Sequence, residues 1–305
     1  MAGVLTEVWV RTIQEVLFAR NNEFLRASVN HDAFVVNKTV HVPQAGSLPG
    51  VTKNRTVFPA PVISRDDTTL DYDLDSFSID PVRIGRIEEV QISYAKRQSV
   101  MSQHMNKLMD LIAREGIFNW ASDLGDNQVR TTGATGNDNA PKGAAGNRKK
   151  VLLEDIAKVA EVMDDQDAPD EGRWLMLPSK MYYELFTIQD LIRDDIIGET
   201  TLPAAAIKKI LNFNIMKRSS NTVVKYDNVS TPQRKAVGAA VASDDNFGAI
   251  AWHIDSVATA LGAIEVFADE KSATMMGDVI SADVLSKTTK LRSDEAGIVT
   301  LIQAA

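Results

Sequence analysis

IEEVQISYAKRQSVMSQHMNKLMDLIAREGIFNWASDL, residues Ile87–Leu124, carries apolar side chains at Val90, Tyr94, Met101, Met105, Leu108, Met109 and Ile112. Spacings of three, four and seven put them on one stripe of a helix with 3.6 residues per turn. At 1.5 Å per residue such a helix spans roughly 50 Å, longer than a small domain is wide. A helix of that length with a single apolar face is a strut between separate pieces of structure.

Upstream of the strut the period changes to two. In TTLDYDLDSFSID, Leu70, Tyr72 and Leu74 share one strand face and Asp71, Asp73 and Asp75 the other. The parity then inverts, because Phe77 and Ile79 fall on the aspartate side, and a regular strand cannot do this without moving its apolar groups across the sheet. The pattern predicts a bulge or sharp twist near Asp75 and Ser76, where an arm leaves the body. Earlier still, Phe34, Val36, Val40 and Val42 alternate with polar neighbours and predict a strand ending at Pro43, with turn residues in PQAGSLPG and extended chain from Arg55. Leu5, Val8, Trp9, Ile13, Val16 and Leu17 predict an amphipathic helix from Val4, on which Trp9 is either an anchor against a neighbour or ordinary core.

Downstream, five glycines between Gly125 and Asn147 predict a mobile loop. A helix over Val151–Met163, a strand over Arg173–Leu177 and a helix over Ser179–Phe186 follow. The strands AVGAAVA, GAIAWHI, GAIEVFA, DVISADVLS and GIVTLI come next, with one short helix near Asp255–Leu261. The class is α+β.

Bulk properties narrow the function. The 305 residues allow one large domain or two moderate ones. With no cysteine, disulfides and thiolate metal sites are excluded, and the four histidines show no metalloprotease spacing. No apolar run reaches the length of a membrane span, and Glu7, Arg11 and Glu15 are foreign to a signal peptide. A net charge of −8 argues against a protein whose main task is gripping DNA phosphates. GATGNDNAPKGAAGNRKK lacks phosphate-loop spacing, DDQDAPDEG lacks calcium-loop spacing, and no GxSxG elbow occurs. The residues point to no catalytic centre, no cofactor and no metal.

Four stretches resemble the major capsid protein of tailed double-stranded DNA phages, the Hong Kong 97-type fold. Val42–Asp67 (VPQAG through FPAPVISRDD) resembles the extended loop, a β arm that overlaps a neighbouring subunit. Asp80–His104 resembles the start of the spine helix. Arg173–Phe186 (RWLMLPSKMYYELF) resembles the strand–Pro–helix step of the axial domain, and Gly262–Ile302 the closing strands of the peripheral domain, Arg292 included. The resemblance implies an N-terminal arm over 1–33, an extended β-hairpin loop over 34–82 and a peripheral domain with spine helix over 83–150. An axial α/β domain over 151–261 and peripheral closing strands over 262–305 complete it.

The same resemblance implies a non-enzymatic coat protein that assembles as pentamers and hexamers into an icosahedral shell. The shell encloses double-stranded DNA without sequence-specific binding and without a membrane. Portal, scaffolding and decoration proteins are the implied partners, and the virion, assembled in the host bacterial cytoplasm, the implied location. The axial loop falls on Asp190–Pro203, making Arg193, Asp194 and Asp195 contact candidates beside Trp9. On the arm, Lys53 and Arg55 are basic and Asp71, Asp73 and Asp75 form an acidic row, so one group or the other pairs with a neighbour and fixes register. A solvated strand face is the simpler account of the same row. Some relatives cross-link a lysine of this arm to a neighbour's asparagine, and Lys53 lies in the matching stretch, with no partner identified by the residues. An encapsulin-type shell, which holds enzyme cargo, shares the implied fold and stays open.

Overall fold

The long helix, α1 (Ala95–Trp120), is 26 residues, about 39 Å of rise. In this computed structural model the described residues are 22–44, 51–56, 58–59, 68–85, 95–186, 207–272 and 274–305. The expected start of the helix at 87–94 lies outside them. Met105, Leu108, Met109 and Ile112 are buried beneath α1, against Ala282 and Val284 and beside Phe77, Ile79, Leu261 and Val266. Because 3.6 residues per turn does not divide seven, the stripe drifts around the helix by ~20° per heptad. Further along, Ala113, Ile117 and Trp120 therefore face a different core, with Tyr226, Trp252, Ile298 and Ile302. One helix belongs to two cores.

The described residues form three sheets. A five-stranded sheet orders β1 (Val29–Asn30), β13 (Val257–Ser272), β14 (Gly277–Lys290) and β5 (Asp75–Ser78), with β6 (Val82–Gly85) on the other stretch of β14. A seven-stranded sheet orders β7 (Gln128–Arg130), β15 (Ile298–Ile302), β12 (Asn246–His253), β8 (Arg173–Pro178), β10 (Phe213–Arg218) and β9 (Lys209–Ile210), with β11 (Lys225–Tyr226) against β12. The third sheet is an arm of β2 (Val35–Val36), β3 (Thr39–Gln44) and β4 (Thr68–Asp73).

The seven-stranded sheet is covered on both faces, which its continuous apolar strands require. Leu175, Leu177, Ala249, Ala251, Val299 and Leu301 face α2 (Leu153–Asp165) through Ile156, Val159 and Met163, with Met181 and Leu185 of α3 (Ser179–Leu185). Alternate residues Met176, Ile250, Trp252, Ile298 and Ile302 face the end of α1. Asp155 fastens the start of α2 by accepting from Leu152 N at 2.8 Å and from the Thr132 hydroxyl at 2.7 Å.

Several expectations need correction. GIVTLI lies inside the seven-stranded sheet, paired with β12 and β7, not beside the strands of 262–290. AVGAAVA is an exposed loop with Gly238 at φ +82°; its alanines offer too little apolar area to hold a strand in a sheet. The helix expected near Asp255 is a single turn, Ile254–Ser256, after which Val257 starts β13. The strand expected over Phe34–Val42 is a hairpin that turns at Asn37, φ +57°. Finally, the glycine-rich stretch is fixed, not mobile. Arg148, 3% exposed, donates from Nε to Asn246 Oδ1 at 2.6 Å and from Nη2 to the Asp245 carbonyl at 3.0 Å. Asn139 exchanges two hydrogen bonds of 2.7 Å with the Arg148 backbone.

Candidate functional site

The chain passes from the arm into the body at one residue. β4 pairs with β3 as far as Asp73, and β5 begins at Asp75 and pairs with β14, so the chain changes sheets at Leu74. This break is what the inverted parity requires: Tyr72 and Leu74 face one core, and Phe77 and Ile79 face the underside of α1. Leu74 is fully buried, and its amide donates to the Lys38 carbonyl at 2.8 Å. Opposite it, β13 slips register between Leu261 and Ile264. A Cβ on Gly262 would stand 2.6 Å from Leu74 Cδ1, so the bulge and the missing side chain together admit the leucine. The amide of Leu261 is satisfied by Asp32 Oδ1 at 2.6 Å.

His31 closes the junction. Its amide donates to the Thr259 carbonyl at 2.9 Å, and its Nδ1 shares a 2.9 Å hydrogen bond with the Tyr72 hydroxyl. Burial lowers the His31 pKa, against the opposing pull of the Asp32 charge. Burial likewise pushes the Tyr72 hydroxyl up to about 12. Because the folded chain holds His31 neutral, the unfolded chain binds the extra proton. Stability is fully present above the ordinary histidine value of 6.5 and declines as pH falls below it, until the folded group also titrates. His31→Gln is expected to remove this component: the midpoint in urea between pH 7 and pH 5 should fall less in the variant than in the parent. Equal falls would refute the assignment.

Asp71 and Asp73 lie on the exposed face of the arm and Asp75 is exposed at the start of β5, and each carboxylate has a partner in its own chain. Asp71 accepts from His41 Nδ1 at 2.7 Å and from the Thr69 hydroxyl at 3.1 Å. The His41 hydrogen bond holds the Asp71 carboxyl below the usual range. Asp73 accepts from Thr39 at 2.8 Å and Asp75 from Lys287 at 2.7 Å. His41 with Asp71 and Thr39 with Asp73 are directly opposite pairs across β3 and β4. Nearby on α1, burial raises the Glu115 pKa, helped by the Asp75 charge and offset by Lys287.

Of the other predicted contact residues, Lys53 is exposed and Arg55 half-buried, the latter donating to Thr52 at 3.3 Å. Trp9, Arg193, Asp194 and Asp195 lie outside the described residues. Among the described residues there is no grouping of three or more His, Asp or Glu side chains suited to a metal ion, and no helix long and apolar enough to cross a membrane. The junction residues His31, Asp32 and Lys287 were missed by sequence reading. The only signal for them was the parity break, which marks a crossing without naming what seals it.

No protein-family model matches the chain, and no curated protein sequence matches it. Solved structures do. The capsid structure of cyanophage P-SCSP1u matches with a TM-score of 0.65 over 92% of this chain and 86% of that chain, at 18% identity. The capsid of Ralstonia phage GP4 matches at 0.64 over 92% and 87%, with 8% identity. This is a phage capsid fold. The mature capsid of bacteriophage PhiM1 agrees, at 0.61 over 93% and 87% with 11% identity. Few side chains are shared at these identities. The capsid fold is carried here by the order of elements, their register and the two apolar faces of the central sheet.

Proposed function

We propose that the chain is the major capsid protein of a tailed double-stranded DNA phage. It assembles as pentamers and hexamers into an icosahedral shell around the genome, in the host bacterial cytoplasm, and stays in the virion as a structural protein without catalysis. The supporting observation is the likeness to phage capsid structures along more than nine-tenths of the chain. A shell needs one subunit shape whose contacts close on themselves. An arm that projects from the body at Leu74 and a helix spanning two cores suit that, because each neighbour is touched at several points and the contacts reinforce one another. Portal, scaffolding and decoration proteins are the expected partners. The net charge of −8 suits a wall that confines DNA without gripping it. In this reading the overlapping arm, expected over 34–82, ends at Leu74, where the chain enters the five-stranded sheet; α1 and that sheet are the peripheral part, and the seven-stranded sheet the axial part. The axial part then includes Ile298–Ile302.

Electron microscopy of the purified protein is the test. Closed icosahedral particles are expected, and a chain that remains monomeric under all assembly conditions would overturn the reading. Particles packed with an enzyme in place of DNA would point to an encapsulin-type shell.

The exposed acidic row, with Lys53 and Arg55, is the proposed register contact. The variant Asp71→Asn/Asp73→Asn/Asp75→Asn should reduce shell yield while lowering subunit stability little, since exposed pairs contribute ~0–1 kcal/mol each. An unchanged yield would return the row to a solvated strand face.

A further inference from the structure

Where α1 passes the loop that follows β11, a pocket of about 100 Å³ collects positive charge. Arg114 comes to it from α1, Lys225 from β11 and Lys235 from the loop. The Lys235 amide donates to the Lys225 carbonyl at 2.8 Å, which sets the two lysines side by side. No aspartate or glutamate is among the residues that line the pocket. Next to it, Arg218 donates from Nε to the hydroxyl of the lining residue Thr222 at 3.1 Å. Burial brings the Arg218 pKa down to about 10, with Asp110 opposing and Arg114 adding to the fall, so the charges of the two arginines reach each other.

The compensation of these charges is incomplete. Arg114 Nη2 meets Asp110 at 2.6 Å and Lys235 Nζ meets Asp245 at 2.8 Å. Lys225 has no carboxylate partner among the described residues. Arg114 Nε is buried and meets no acceptor. A buried donor without an acceptor is costly, and folded chains rarely keep one.

We infer that the pocket binds a phosphate group through Arg114 Nε and the Lys225 ammonium, with Lys235 adding its charge. The volume of about 100 Å³ compares with the ~10–15 Å³ that one water requires, so a group of several heavy atoms fits. A guanidinium on one element and ammoniums on another offer donors from more than one direction. That suits the tetrahedral oxygens of a phosphate better than the two coplanar oxygens of a carboxylate. Free orthophosphate and the backbone phosphate of DNA present the same chemistry. The whole pocket lies within one chain, so binding does not depend on the shell assignment.

The test is equilibrium dialysis of the purified full chain against radiolabelled inorganic phosphate at fixed ionic strength. Saturable binding of one phosphate per chain is expected. Losing one charged hydrogen-bond donor weakens such binding at least about tenfold, and that loss is expected for both Arg114→Gln and Lys225→Gln. Lys158→Gln, at an exposed ion pair on α2, should bind as the parent does. Urea midpoints check that each variant is folded, and two separate variants guard against one that is not. Absence of saturable binding, undiminished affinity in either pocket variant, or acetate competing as well as unlabelled phosphate would each overturn the proposal. A short DNA duplex lacking terminal phosphates separates the two sources. Displacement of the label by the duplex, lost in Lys225→Gln, marks backbone phosphate as a ligand of the pocket, and retention of the label marks free phosphate.

Discussion

Met105→Asp is expected to leave no folded chain. Met105 is 3% exposed, on the side of α1 that covers Ala282 and Val284. Removing a buried methionine costs about 2–5 kcal/mol by itself. Placing a carboxyl group there adds a desolvation cost of several kcal/mol, or the energy needed to keep it protonated. Against a total stability of about 5–15 kcal/mol, the sum is decisive. The expected result is insoluble protein, with no cooperative unfolding transition in whatever fraction stays in solution. Asn106→Asp, one residue away on the exposed side, should change stability by no more than about 0.5 kcal/mol. A soluble Met105→Asp protein with the parent's melting behaviour would refute the placement of α1.

The second large effect is expected at Arg148. Methionine there keeps most of the aliphatic stem but leaves the buried Asn246 Oδ1 and Asp245 carbonyl without the donors that Arg148 supplies, and removes its bonds to the more exposed carbonyls of Ala145 and Ser243. Buried acceptors left without donors cost about 1–3 kcal/mol each, and they are not additive. A loss of at least about 3 kcal/mol is expected, read as a lower urea midpoint. Lys149→Met, the next residue in the same basic run, should fall within about 0.5 kcal/mol of the parent. If the two variants were equally stable, Arg148 would not be the pin of the 131–150 segment.

These two residues mark the limits of what the sequence made legible. Met105 was readable because helical periodicity is a local property: three neighbours on one stripe announce a buried face whatever lies beneath it. The same holds for Leu70, Tyr72 and Leu74, whose parity break located the arm junction to within a residue or two. Arg148 was not readable. It stands in the run Arg148-Lys149-Lys150 beside glycines, the composition of a solvated loop. Its side chain makes five hydrogen bonds, two to the neighbouring carbonyls of Ala145 and Asn147 and three to Ser243, Asp245 and Asn246, which lie 95 to 98 positions away and are brought there by the fold. GIVTLI shows the same boundary. Its strand character was plain, but alternation cannot say which of two sheets a strand enters, and its neighbours β7 and β12 come from distant parts of the chain. The contact candidates on the arm fared likewise: their exposure was legible, whereas the partners of Asp71, Asp73 and Asp75 within the chain needed the pairing of β3 with β4 and of β5 with β14.

The position of Ile298–Ile302 has a consequence for biosynthesis. This strand separates β7 from β12, so the seven-stranded sheet has a gap in its interior until those residues have left the ribosome. Every element they join is translated earlier, and must wait with apolar faces unpaired. The faces of α2 and of the end of α1 that rest on Val299, Leu301, Ile298 and Ile302 are finished by the same event. The body therefore completes its folding only once Ile298–Ile302 has entered between β7 and β12.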